Sequence, residues 1–108
     1  MSPRPILYGL ARSVYTRIAR LALEEKRVDY ALEEVEIFGA GGVPEQHLER
    51  HPFGRIPTLA HGAFSLYETA AITRYVDEAF PGPSLQPTEP EARGRMAQVM
   101  SVLDAYAY

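Results

Sequence analysis

The stretch Ile56-Pro-Thr-Leu-Ala60-His-Gly-Ala63-Phe-Ser-Leu66 contains a β-hairpin pattern. Two short apolar runs, residues 56–60 and 63–66, flank the dipeptide His61-Gly62. A two-residue connection with glycine is typical of a hairpin, because glycine supplies the positive φ that such turns need. The sequence therefore predicts two antiparallel strands here.

Pro57 lies at the start of the first of these strands, where a proline cannot donate a hydrogen bond to a neighbouring strand. One interpretation is an ordinary trans proline at a sheet edge, which the spacing alone favours. The other is a cis Ile56-Pro57 bond, which would turn the chain so that the backbone N–H and C=O of Ile56 face a ligand.

The residues before the hairpin predict a βαβ unit. Residues 6–8 form a short apolar run, closed by Gly9, that is typical of a buried strand. Ser13 can then cap a helix that ends at about residue 25 or 26. Alternation over residues 28–37 predicts a second strand, with a slip at Glu33-Glu34. Strands joined in this way are almost always parallel with a right-handed crossover. The apolar positions expected on the buried face of the helix are Val14, Ile18, Leu21 and Ala22.

The connections on either side of the hairpin complete an α/β chain. Gly39-Ala-Gly-Gly42 is expected to be a flexible loop, because it lacks the preceding strand and the GK[ST] ending of a phosphate-binding loop. Residues 44–50 fit a short helix. From Glu68 onward a helical stripe predicts a second long helix, which Phe80-Pro-Gly-Pro83 would stop. The apolar members of that stripe are Ile72, Tyr75, Val76 and Ala79.

The C-terminal part of the chain is expected to be organised separately. Four prolines between residues 81 and 90 indicate a linker, and Thr88-Glu-Pro-Glu91 is a capping box that predicts the start of another helix. The interpretation is a domain over residues 1–80, a proline-rich linker over 81–88, and a helix over 89–108. The apolar stripe of that helix is Met96, Val99, Met100 and Leu103.

Composition excludes several classes of function. The chain has 108 residues, room for one complete domain, and carries 11 basic and 14 acidic residues, so no attraction to nucleic acid or anionic membranes is expected. It has no cysteine, which excludes disulfides, thiolate metal sites and a protein thiol nucleophile, and its three scattered histidines argue against a metal site. The longest uncharged run, residues 56–67, contains Pro57 and Gly62 and cannot span a bilayer. A soluble, cytoplasmic protein is expected.

Three ordered motifs resemble the N-terminal domain of cytosolic glutathione S-transferases, most closely the serine-type bacterial and plant phi-like members. They cover roughly residues 5–80. The resemblance implies a thioredoxin-like fold, βαβ-(α)-ββα with flanking helices, and a cis Pro57. The motifs are Ser13-x-Tyr15-x-Arg17-x-x-Arg20-Leu-Ala-Leu-Glu-Glu-Lys26, His51-Pro-Phe-Gly-Arg-Ile-Pro-Thr-Leu59 and Leu66-Tyr-Glu-Thr-Ala-Ala-Ile72-x-Arg-Tyr75.

The resemblance also implies a chemistry in which glutathione, the co-substrate, is the nucleophile. A free thiol has a pKa of about 8.5, so the protein must stabilise the thiolate. Ser13, at the mouth of the first helix, would donate a hydrogen bond to the sulfur, although a plain N-cap role would compete for the same oxygen. Tyr8 is the alternative, because tyrosine-type members use a phenol at the end of this strand. Tyr15 is expected to pack against the site or line it.

Further residues match positions that hold the tripeptide. The resemblance implies that Ile56, beside Pro57, pairs with the cysteinyl backbone in the manner of an added strand. Glu68 would bind the γ-glutamyl ammonium, and the hydroxyl and N–H of Thr69 its carboxylate. Arg55 would reach the glycyl carboxylate or remain a solvated surface residue.

Some features keep an alternative or depart from the family. Ser65 and Glu68 have the spacing of a capping box, which would use Glu68 structurally. Residues 41–44 lack the basic pair that phi-like relatives often carry, so the contact with the glycyl end would be absent or moved to Arg55 or His47. His47, His51 and His61 are otherwise expected on the surface or in turns.

The resemblance implies properties of a longer protein as well. Residues 89–108 resemble the first helix of an all-helical second domain, so we expect the chain to be a fragment of an enzyme that forms a homodimer when full length and detoxifies electrophilic small molecules. The alternative is a non-catalytic interaction module, as in some translation-factor subunits and stress regulators. Neither the electrophile nor the choice among transferase, isomerase, dehalogenase and peroxidase follows from the sequence.

Overall fold

The computed structural model describes residues 3–106, apart from the side chains of Leu103 and Tyr106. Strands and helices alternate as the hydrophobic patterns predict, so the α/β class is confirmed. In chain order the elements are β1 (Ile6–Gly9), α1 (Val14–Glu25), β2 (Ala31–Glu34), α2 (Glu45–Arg50), β3 (Thr58–His61), β4 (Phe64–Tyr67), α3 (Thr69–Ala79) and α4 (Pro90–Tyr106).

One mixed sheet has the strand order β2-β1-β3-β4. β1 runs parallel to β2, as the βαβ pattern predicts, and antiparallel to β3, while β3 and β4 form the hairpin. The registers place four leucines in one row across the sheet. Those on the two central strands are fully buried in the core formed with α1 and α3. The row, in spatial order, is Leu32, Leu7, Leu59 and Leu66.

The core lies between the sheet and the helices α1 and α3. Its buried members are Leu7, Ala19, Ala22, Leu23, Leu59, Ile72 and Val76. Of the four residues expected on the inner face of α1, Ala22 is buried, but the prediction is wrong for Val14, Ile18 and Leu21, which are 46%, 41% and 61% exposed. The helix buries Ala19, Ala22 and Leu23 instead, and the two alanines let it pack close to the core.

The hairpin and the second strand differ from the predicted bounds. β2 begins only at Ala31, although Val28 and Tyr30 before it still pack against the core. The hairpin connection is Gly62-Ala63 and not His61-Gly62, since His61 pairs with Phe64. Gly62, at φ 64°, is thus the first loop residue, where a type II′ turn requires glycine.

Asp77 of α3 fastens the proline-rich segment to the domain. Its carboxylate is buried and 3.1 Å from Nζ of Lys26, which is also buried. The Leu85 N–H and the Gln86 side-chain amide donate to the two carboxylate oxygens at 2.6 and 2.7 Å. Lys26 also donates to the carbonyl of Gly82 at 3.4 Å. Burial alone would raise the pKa of Asp77, but these hydrogen bonds outweigh it and lower the pKa.

α4 begins at Pro90, as the capping-box motif predicts. In the predicted apolar stripe, Met96 and Met100 are half-buried and Val99 is half exposed, while Leu103 lies outside the described side chains. A cavity of about 1060 Å³ separates α4 from α3. Within residues 3–106, every helix is too short or too polar to cross a membrane.

Candidate functional site

A cavity of about 180 Å³ lies where the segment before β3 meets the start of α3. The structure brings all five predicted glutathione-binding residues to its wall, although they come from two separate parts of the chain. Tyr15 of α1 also lines it, as expected, and so do two residues that the sequence did not point to, His51 and Asp104. The five predicted residues are Arg55, Ile56, Pro57, Glu68 and Thr69.

The peptide bond between Ile56 and Pro57, two residues of the cavity wall, is cis. Pro57 is fully buried and Ile56 half-buried, whereas the side chain of Arg55 is exposed. The carbonyl of Arg55 accepts a hydrogen bond from Nε2 of His47 at 2.6 Å. Helix α2 therefore holds the backbone directly before Ile56.

Glu68 occupies the N-cap position of α3 in an unusual conformation, with φ 77° and ψ 123°. A non-glycine residue at positive φ costs on the order of 1–3 kcal/mol, and such residues cluster at ligand sites. The capping-box alternative is wrong: Ser65 pairs with Ala60 inside the hairpin, and the side chain of Glu68 makes no cap hydrogen bond. Its exposed carboxylate is thus not used by the helix, and Thr69 begins α3 beside it.

Ser13 is the N-cap of α1, as predicted, and does not line the 180 Å³ cavity. Its Oγ accepts a hydrogen bond from the Thr16 N–H at 3.3 Å. Accepting uses a lone pair and leaves the hydroxyl proton free to donate. The cap role and the thiolate role, expected to compete for this oxygen, are therefore compatible.

The turn before Ser13 is fixed by close packing at the end of β1. Thr16 is fully buried, and its Oγ1 accepts from the Leu10 N–H at 3.2 Å. A Cβ on Gly9 would come within 2.5 Å of that oxygen, so only glycine fits there. Beyond the turn, the hydrogen bond between Arg12 and Glu36 (2.7 Å) raises the pKa of the guanidinium and lowers that of the carboxylate.

Tyr8, the rival catalytic candidate, also lies outside the cavity lining. It is half-buried on β1, and the guanidinium of Arg50 stacks over its ring with Cζ 3.9 Å from the centroid. Arg50 in turn donates from Nε to Nδ1 of His47 at 3.4 Å. The Tyr8 ring therefore acts as a packing surface for α2, a cation–π contact that needs no hydroxyl.

Two of the histidines contradict the expectation of surface or turn positions. His47 and His51 are 0% and 2% exposed, whereas His61 is half-buried with Nδ1 2.7 Å from the Tyr75 hydroxyl. His47 lies in α2, and His51, four residues later, is the extended C-cap residue of the same helix. The four-residue spacing of His47 and His51 is the sequence signal that could have indicated a shared buried position. The sequence interpretation missed it because polar residues on a short helix are usually solvated.

Burial lowers the pKa of His51, and the nearby carboxylate of Glu68 opposes this effect. Its ring contacts that of Tyr67 at a centroid distance of 4.4 Å, and its Nδ1 accepts from the Phe53 N–H at 3.2 Å. The imidazole is therefore held neutral at neutral pH. Over the part of the chain that the structure describes, no three acidic or histidine side chains form a group that could hold a metal ion.

Known proteins resemble the chain in both sequence and fold. A family model described as "Glutathione S-transferase, N-terminal domain" matches residues 7–84. A stringent starvation protein A homolog from Histophilus somni is 37% identical over 87 residues, which cover 81% of this chain and 40% of that protein. Glutathione S-transferase 4 from Zea mays is 40% identical over 75 residues, or 69% of this chain and 34% of that protein.

A solved structure supports the same relationship. The theta-class glutathione S-transferase from Xanthomonas axonopodis pv. citri, determined with glutathione bound, matches with a TM-score of 0.84 and 31% identity. The match covers 96% of this chain and 50% of that chain. The chain thus spans half or less of the length of each of these relatives.

Proposed function

The chain belongs to the glutathione S-transferase family, whose N-terminal domain it contains, and on that premise we propose that it binds glutathione and stabilises the thiolate. The observation that supports this most is the single cavity formed by Ile56, Pro57, Glu68 and Thr69. A backbone edge, a free carboxylate and a helix start lie together there. This set matches a γ-glutamyl peptide, which carries an amide backbone, an ammonium and a carboxylate.

In the proposed arrangement each residue has one task. The backbone of Ile56 pairs with the cysteinyl residue, Glu68 binds the ammonium, and Thr69 with the first amides of α3 binds the γ-glutamyl carboxylate. Asp104 lines the same cavity and is proposed to supply a second carboxylate for the ammonium. Arg55, exposed at the rim, faces the glycyl carboxylate.

Ser13 is the proposed catalytic residue. Its hydroxyl donates to the sulfur while its lone pair still caps α1, and the positive end of the helix dipole adds to the stabilisation. The thiolate then attacks an electrophilic carbon: a C–S bond forms, and the electron pair moves to the leaving group or to the acceptor end of a polarised double bond. For the longer protein we propose a cytoplasmic homodimer acting on electrophilic small molecules in detoxification.

A second candidate function is a binding or interaction module without turnover. The relatives support it, because they include proteins named stringent starvation protein A homolog as well as glutathione S-transferases. The two candidates differ in one measurable property, the pKa of the bound thiol. A transferase lowers it, whereas a module that only binds the peptide has no need to.

We therefore expect replacement of Ser13 by alanine or glycine to raise the pKa of bound glutathione by about one unit, through loss of one charge-assisted hydrogen bond. Thiolate absorbance is followed as a function of pH. Alanine also removes the cap, at a cost of about 1 kcal/mol of stability, whereas glycine costs only a few tenths, so a shift shared by both variants cannot come from the helix.

Tyr8→Phe is the matched control, since it deletes only the rival hydroxyl. It is expected to leave the thiol pKa unchanged, because the Arg50 contact uses the ring face. A shift in Tyr8→Phe with none in the Ser13 variants would reverse the assignment. A wild-type chain that binds glutathione with an unshifted thiol pKa would favour the module.

A further inference from the structure

The ring of His51 is fixed at the wall of the glutathione cavity. It is 2% exposed, lies 4.4 Å from the ring of Tyr67 between centroids, and meets the ring of Phe53 edge-on at 6.0 Å. It lines the cavity together with Ile56 and Glu68. A buried side chain with these contacts has no freedom to leave the site.

Its hydrogen bonding determines which nitrogen carries the proton. Nδ1 accepts from the Phe53 N–H at 3.2 Å, so in the neutral ring the proton is on Nε2. Among the residues that the structure describes, no acceptor is recorded for that Nε2–H. Polar groups at buried residues are almost always paired, and because His51 lines the cavity, a partner for this donor can enter there.

We propose that His51 is a further glutathione-binding residue, whose Nε2–H donates to a carbonyl or carboxylate oxygen of the bound tripeptide. This inference rests on the proposed function. It adds a donor to a cavity whose wall also carries the carboxylates of Glu68 and Asp104, and it acts through the neutral imidazole.

Only the neutral form fits this position. A proton on Nδ1 would face the Phe53 N–H, donor against donor, and the ring would lose its anchor. Burial disfavours the charged form, with His47 and Arg55 acting in the same direction and Glu68 opposing them. The titratable and charged groups around the ring, taken element by element, are Tyr15 of α1, His47 of α2, Arg55 before β3, Tyr67 of β4, Glu68 at α3 and Asp104 of α4.

The test uses two substitutions that each keep one half of the imidazole. His51→Asn retains an acceptor where Nδ1 lies and can still bind the Phe53 N–H, but it lacks a donor at Nε2. His51→Gln reaches toward Nε2 with an amide donor and leaves the Phe53 N–H without its acceptor. Glutathione affinity is measured by titration calorimetry and stability by urea unfolding, with each variant compared to wild type.

We expect each variant to impair a different property, one glutathione binding and the other stability. His51→Asn should keep wild-type stability and bind glutathione about tenfold more weakly, whereas His51→Gln should be less stable and bind within about threefold of wild type. A purely structural histidine gives the same stabilities but the opposite binding results, with Asn binding normally and Gln binding weakly. That outcome would overturn the proposal. Wild type that does not bind glutathione at all would instead reject the proposed function.

Glutathione affinity measured over a pH series distinguishes a binding role of His51 from an effect on stability. Because burial lowers the pKa of His51 from its usual value near 6.5, wild-type affinity is expected to fall only as the pH drops below that usual value and through the lowered pKa. His51→Asn has no such group, so its affinity should be flat over the same range apart from what His47 and His61 contribute to both proteins. Parallel profiles for the two proteins would contradict a role for the neutral ring.

Discussion

Replacing Asp77 by alanine is expected to lower the free energy of unfolding by about 3–5 kcal/mol, because it leaves the ammonium of Lys26 buried without a counter-charge. The same change removes the acceptor of the Leu85 N–H and of the Gln86 amide. Domains of this size are only about 5–15 kcal/mol stable, so a large part of the stability would be lost. Urea unfolding followed by circular dichroism measures it, since the chain has no tryptophan.

Asp29→Ala is the matched control for that change. Asp29 also pairs with a cation, Arg4 at 3.2 Å, but the two side chains are 86% and 58% exposed. An exposed pair contributes roughly 0–1 kcal/mol, so the control should unfold near wild type. Equal losses in the two variants would mean that burial does not govern the Asp77 pair. Lys26→Met with Asp77→Leu, which removes both charges, should recover much of the loss.

The Asp77 pair also makes stability depend on pH in one direction. The pKa of Asp77 is lower in the folded chain than the roughly 3.9 of an unfolded aspartate. The unfolded state therefore binds the proton first as the pH falls. The contribution is complete above about pH 4–5 and is lost as the pH drops through the folded pKa, and Asp77→Ala should flatten that part of the profile.

Replacing Glu68 is expected to separate binding from stability. Glu68→Gln removes the charge proposed to hold the ammonium and should weaken glutathione binding by about 10- to 100-fold, with the unfolding free energy unchanged. Glu68→Gly should weaken binding as much, yet raise stability by about 1 kcal/mol, because glycine relieves the strain of φ 77° and loses part of the gain to chain entropy. The measurements are titration calorimetry with glutathione and urea unfolding.

Glu91→Gln provides the comparison, since Glu91 lies in the first turn of α4 and away from the cavity. It should bind glutathione as wild type does. Unchanged binding in Glu68→Gln would remove the carboxylate from the proposed site. A less stable Glu68→Gly would mean that the backbone at residue 68 is not strained.

The local elements of the fold were predictable because short-range chemistry determines them. Ser13 caps α1 and Gly62 turns the hairpin, and each needs only a few neighbouring residues to be recognised. The inner face of α1 was not predictable in the same way. Val14, Ile18 and Leu21 form a regular apolar stripe, but tertiary packing buried a neighbouring face that contains Ala19 and Leu23.

The candidate site, like the fold, was predictable from the sequence only in part. Family motifs located Ile56, Glu68 and Thr69, and the fold places them at one cavity. His51 and the Lys26–Asp77 pair were missed, because a buried histidine or ion pair is defined by partners distant in sequence. Nothing in the local pattern around Asp77 shows that residues 82–86 fold back onto it.

That fold-back changes what the proline-rich segment is. An irregular stretch between two helices would ordinarily exchange its amide hydrogens within seconds and be open to proteases. The amide of Leu85, bonded to a buried carboxylate at 2.6 Å, belongs instead to the cooperative unit of the domain. Its hydrogen should exchange only when the core around α3 opens, so the segment behaves as the last stretch of the folded unit and not as a hinge.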